Sequence, residues 1–157
     1  MTADAVVKCL EIDVDFYRDL TVFLMKKHTK VLDDDLEWLT NSLNDEQAFL
    51  MKSRSLEEKR LALFSGLGIE DKTLSELAED APEAYRPKIR MLSSQLEEII
   101  SKVTELNNET AEIVKRKLDD QKEFVERAGI LEKPEVYNKN ASKVSSGVSS
   151  ATPFRHI

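Results

Sequence analysis

No glycine and no proline occurs between Asp4 and Ser65. A stretch that long without either residue cannot make the tight turns that a β-protein needs. Its apolar residues say what it forms instead. Leu10, Val14, Tyr17, Leu20 and Leu24 recur at steps of four, three, three and four. Leu32, Leu36, Leu39, Leu43 and Leu50 resume the stripe at four, three, four and seven. Both patterns follow the helical period and not the two-residue period of a strand. Between them lies Asp33-Asp-Asp35, whose carboxylates can accept the free N–H groups of a new helix. The reading is a break near Leu32–Asp34, giving a hairpin. One unbroken helix of about 60 residues, roughly 90 Å long, fits the same spacing. Ser55-Leu-Glu-Glu58 has capping-box spacing and marks a second possible restart.

The run ends at Phe64-Ser-Gly66-Leu-Gly68-Ile, where two glycines read as a helix C-cap and turn. Leu67 and Ile69 can fold back on the helix end. Thr73-Leu-Ser-Glu76 is a capping box that opens a short helix through Ala78 or Glu79. Pro82 and Pro87 punctuate the next connection, and Pro87 suits the first turn of a last long helix. That helix spans about Pro87 to Arg127, and Gly129 ends it. Ile89, Leu92, Leu96, Ile99, Val103 and Leu106 alternate steps of three and four, the spacing of a coiled coil. Past Leu106 the strict heptad falls on Thr110, Ile113, Lys117 and Asp120, while apolar residues follow Ala111, Val114, Leu118 and Val125. This predicts a stutter that rotates the stripe at Asn107 and Asn108.

Composition narrows the architecture. The 157 residues suit one domain, read as a helical bundle over 1–132 followed by a tail over 133–157. Charged residues make up 34% and aromatics 6%, against about 25% charged in an ordinary globule. Helices with one apolar stripe and a broad wet face result. The expected fold is all-α: an elongated antiparallel helical bundle or coiled coil of three to four helices, with a disordered C-terminal tail. The tail carries five serines, two prolines, four bases and one acid, too little apolar content for a core.

Charge and cysteine count exclude several functions. A net charge of −7 argues against nucleic acid, whose phosphates need a basic surface, and disfavours anionic membranes. Cys9 is the single cysteine, so no internal disulfide forms. No apolar run approaches the ~18 residues of a membrane span, and the first residues carry acids where a secretory signal needs an apolar core. A cytoplasmic protein is expected.

Candidate chemical sites are few. Asp13-Val-Asp15 and Asp33-Asp-Asp35 lack the glycine of a calcium loop, so a solvated face or a cap is expected. His28 has no zinc-ligand spacing around it, and Cys9 reads as a half-buried thiol and not a nucleophile. Gly66 and Gly68 follow a helix, whereas a phosphate loop follows a strand. No metal, cofactor or catalytic residue is expected, and the chain reads as a binding protein and not an enzyme. Trp38 reads as core beside Leu36, Leu39 and Leu43. Phe124, Val125, Ile130 and Leu131 either cap the bundle or, if the last helix overhangs, need a partner.

The order of these features resembles the FlgN family of flagellar type III export chaperones. The carrying elements are Arg60-Leu-Ala-Leu-Phe-Ser-Gly-Leu-Gly-Ile69, the Leu74-Ser-Glu-Leu77 helix, Leu106-Asn-Asn with Leu118 beyond it, and Glu135-Val-Tyr-Asn-Lys-Asn140. The likeness spans about residues 5 to 147. Two departures are the adjacent asparagines, where a wider spacing is usual, and Asn138-Lys-Asn140, where a glycine often follows the tyrosine. The resemblance implies a chaperone for the C-terminal segments of hook–filament junction proteins (FlgK/FlgL-like), delivering them to the flagellar export gate. A structural coiled-coil adaptor or regulator using the 89–106 seam is the alternative. Client contact is expected at Leu118, Phe124, Val125, Ile130 and Leu131, and export-gate contact at Tyr137.

Overall fold

The computed structural model describes residues 2–129, and every regular element among them is a helix. These are α1 (Thr2–Leu32), α2 (Leu36–Asn41), α3 (Leu43–Gly66), α4 (Leu74–Asp80) and α5 (Arg86–Ala128). The expected all-α antiparallel bundle is what forms, with three long helices and two short ones. The expectation of a separate tail over 133–157 lies outside the described residues.

The aspartate cluster makes a hairpin and not one long helix. Asp34 takes a positive φ of 55°, a conformation that Asp tolerates better than most residues because its side chain can hydrogen-bond locally. The Trp38 N–H then donates to Asp35 Oδ1 at 3.0 Å, while Lys30 Nζ donates to Oδ2 at 3.0 Å. Those contacts, the Trp38 N–H first, hold the Asp35 carboxyl below its usual range. The real second restart is at Ser42, which donates from Oγ to the Leu39 carbonyl. No restart occurs at Ser55, because α3 runs through it unbroken. Capping-box spacing acts only where helix N–H groups are free, and here they are already paired.

This short interruption changes which residues face the core. The leucine stripe expected to be buried is largely bare: Leu32, Leu36, Leu43 and Leu50 are 50%, 73%, 58% and 49% exposed. The face of α3 toward α1 lies one residue away, along Ser42, Glu46, Phe49, Ser53, Leu56, Arg60 and Leu63, at alternating steps of four and three. Every second heptad position on it is polar and meets a polar partner on α1. Lys27 pairs with Glu46, Ser53 hydrogen-bonds Tyr17, and Arg60 Nη1 lies 3.4 Å from Asp13 Oδ2. Phe49 packs between them against Phe16 and Phe23, with centroids 6.1 Å and 5.1 Å apart. The matched ladder fixes the register of two antiparallel helices, since a slip would strand each polar group. It also corrects the reading of Asp13 as a solvated or capping residue, for Asp13 is only 2% exposed.

The turn after α3 follows from its glycines. The Ile69 N–H donates to the Phe64 carbonyl and the Gly68 N–H to the Ser65 carbonyl, with Gly68 at a φ of 68°. This is a Schellman cap, and it folds Leu67 and Ile69 onto the core. The Thr73–Glu76 capping box is complete, at 3.2 Å and 3.1 Å, and its helix runs on to Asp80. Pro87 stands in the first turn of α5 and Gly129, at a φ of 66°, closes it.

The main core lies between α1 and α5. Leu10, Val14, Tyr17 and Leu24 of α1 are buried, and Ile89, Leu92, Leu96 and Val103 of α5 meet them. Ile99 and Leu106 are half-buried against the same cluster. α4 packs on α5, and α3 packs on α1 and α2 but not on α5.

Candidate functional site: the free end of α5

The predicted stutter in α5 is not how the helix meets α1. The face toward α1 keeps the strict heptad beyond Leu106 and turns polar. Thr110 is buried, with its Oγ1 3.1 Å from His28 Nδ1. Lys117 Nζ donates to the Leu32 carbonyl at 3.1 Å and to Asp34 Oδ1 at 2.6 Å. Buried or half-buried polar groups find partners here, so they hold the register where apolar spacing predicts a rotation. His28 thus lies at a helix–helix contact near the hairpin end.

Lys117 ties α5 to the end of α1. α1 stops at Leu32, while α5 continues for eleven residues beyond Lys117, to Ala128. At 1.5 Å per residue this end projects roughly 16 Å. Leu118 is 54% and Phe124 66% exposed, while Val125 is half-buried. Leu118 and Val125 stand seven apart on one line of the helix, and Phe124 lies about 100° round from Val125. Ile130, Leu131 and Tyr137 lie outside the described residues.

The apolar residues that suggested the stutter form this second, bare line. Val114 is 39% exposed on it, and Ala111 is exposed too. The other bare leucines, Leu36, Leu43 and Leu50, were read from sequence as core. Only the one-residue offset at Ser42 reveals them, and spacing carries no sign of it.

Burial shifts titratable groups along the α1–α3 ladder. Burial pushes the Asp13 carboxyl up to about 6, against the opposing pull of Arg60. Burial, helped by the Asp13 charge, pushes the Cys9 thiol up to about 11. A thiol so raised holds little thiolate at neutral pH and is a poor nucleophile. Among the described residues no group of three or more His, Cys, Asp or Glu could hold a metal ion. No helix among them is long and apolar enough to cross a membrane.

The described residues form a helical bundle whose last helix ends in bare apolar side chains. Compared with known families, residues 1–143 match the family model described as FlgN protein. The chain belongs to the FlgN family, a family of flagellar chaperones. No curated protein and no solved structure gave a match.

Proposed function

We propose that this protein is an export chaperone that binds the C-terminal segments of hook–filament junction proteins (FlgK/FlgL-like) and delivers them to the type III export gate. The observation that carries this reading is the bare apolar end of α5, where Leu118 and Phe124 are more than half exposed beyond Lys117, which reaches the end of α1. An amphipathic client helix laid against such a surface buries that area from water. Leu118, Phe124 and Val125 form the described part of the client surface, and Ile130 and Leu131 extend it. Tyr137 serves the export gate, because a tyrosine offers a large apolar face and one hydroxyl at low entropic cost.

The adaptor reading asks the 89–106 seam to pair with another copy. That seam is consumed within the chain, since Ile89, Leu92 and Leu96 are at most 3% exposed.

Calorimetry with a hook-junction C-terminal peptide, beside a motility assay, tests the proposal. Phe124→Ala with Val125→Ala weakens client binding and leaves the melt unchanged. Tyr137→Ala keeps client binding within a few-fold and impairs motility. If removal of residues 133–157 abolishes peptide binding while the helix-end pair has no effect, the assignment is reversed.

A further inference from the structure

Two bare apolar lines, one on α3 and one on α5, face the same side of α1. On α3 the line is Leu43 and Leu50, with Leu36 of α2 seven residues before and Leu61 further on. It lies one residue round from the α1-facing seam, about 100° away. Which way it points follows from the contacts. Phe49 and Lys52, on one flank of α3, reach Phe16 and Phe23. Ser53 and Arg60, on the other, reach Tyr17 and Asp13, which lie on the edge of α1 nearer its α5-facing residues Leu10, Val14 and Leu24. The flank bearing Leu43 and Leu50 is therefore turned toward α5.

On α5 the matching line is Ser93, Ile100, Val114 and Leu118. Its opposite flank holds Lys88, which reaches outward to Glu11 at 3.2 Å. In the N-terminal half of α5 this line is covered: Ile89, Ser93 and Leu96 are all buried, a stripe wider than α1 alone spans. The cover is α4, which packs on α5 and, joined to it by residues 81–85, reaches only that half. Phe64 of α3, Leu74, Leu77 and Ala78 of α4, and Ile89 of α5 share one cluster there. α4 thus covers this line of α5 at one end of the bundle, in the same core cluster as Phe64 of α3. At the hairpin end no described element does, and Leu43, Leu50, Val114 and Leu118 stay bare.

We propose that the α3 line is the second wall of the client site, so that one amphipathic client helix with basic flanks lies between α3 and α5 as the fourth helix of the bundle. This rests on the chaperone reading above and adds α3 to a surface assigned so far to α5 alone. A helix fits because α4 already covers the same line of α5 further along, and because residues spaced by seven on both walls match a helical stripe. Basic flanks fit because residues 33–54 and 111–128, which border the bare end, hold eleven acids against seven bases. Opposite charge on the client complements them and disfavours wrong partners. The chain's own residues 133–157 are also basic and place Tyr137, Ala141, Val144, Val148 and Ala151 at steps of four, three, four and three, so their removal is the competing arm of the test.

The test is calorimetry of the full chain against a synthetic hook-junction C-terminal peptide, with a melt of each variant. Leu43→Ser with Leu50→Ser is expected to weaken binding about tenfold, and Met51→Ser, on the outer side of α3, to leave it within twofold. Leu50→Ala is the milder second variant should the double variant melt early. If the α3 variants bind as tightly as the native chain while Leu118→Ser binds weakly, the second wall is disproved and the chaperone reading stands. If the native chain binds no peptide, both fail. A dimer by sedimentation that the α3 pair dissolves would make this face a self-interface and overturn the inference. So would a tenfold gain in affinity on removing residues 133–157 that vanishes in the α3 pair, which would seat the tail there.

Discussion

Arg60 Nη1 lies 3.4 Å from Asp13 Oδ2 across the α1–α3 interface, and both side chains are almost wholly removed from water. α3 is the least amphipathic of the long helices, and Arg60 and Phe64 are its only fully buried residues. The pair therefore decides where α3 sits more than how tightly it holds.

Breaking the pair from one side should be costly, and replacing it should not. Arg60→Met leaves a buried carboxylate without its partner and should destabilise by about 3 kcal/mol. Asp13→Leu together with Arg60→Met should recover native stability or exceed it, because neither charge then needs desolvation. Urea unfolding of the two variants checks this. A double variant less stable than the native chain would show that the pair is net stabilising.

The same site sets a pH dependence. The Asp13 carboxyl stands at about 6 in the folded chain against 3.8 without the fold. Between those values the native state binds more protons than the unfolded state, so this group favours folding at low pH. Its contribution is fully present below about 3.8 and is lost as pH rises through 6, and it amounts to about 3 kcal/mol at most. On going from pH 7 to pH 5 the native chain should gain stability relative to Asp13→Asn, measured by urea unfolding at both values. A relative loss would mean that Arg60 outweighs burial.

Leu96 is fully buried where α5 meets the main core. Leu96→Asp places an unpaired charge there and should abolish folding. Ile99 is only half-buried, so Ile99→Asp should lower the melting temperature without abolishing the transition. Glu98→Lys, on the exposed face, should stay within about 0.5 kcal/mol. Thermal melts by circular dichroism rank the three.

Gly68 caps α3 at a φ of 68° with open space around it. Gly68→Ala meets no neighbour, so its cost is backbone strain alone, about 1 kcal/mol. The Gly66→Ala variant lies inside the helix without a positive φ, also in open space, and should be neutral or slightly stabilising. Equal effects at the two positions would argue against the Schellman geometry.

The sequence by itself determined the helices, most of their ends and the main seam. The Thr73–Glu76 box, the Gly68 and Gly129 caps, the Asp35 cap and the line from Ile89 to Leu106 are all local. Each rests on hydrogen bonds or spacings within a few residues, and that is why they are legible. The free end of α5 was legible in part, since its apolar residues could be named but not its overhang. What only the tertiary structure decided is which face of each helix is inside. Leu36, Leu43 and Leu50 read as core from their spacing, yet a six-residue helix and a break at Ser42 turn them outward. Thr110 and Lys117 read as off the stripe, yet His28 and the end of α1 supply their partners. Asp13 read as surface until Arg60, 47 residues away, was brought beside it. Spacing along one helix ranks its faces by hydrophobicity, whereas burial depends on where the neighbouring helix lies and on whether that neighbour can satisfy a polar group.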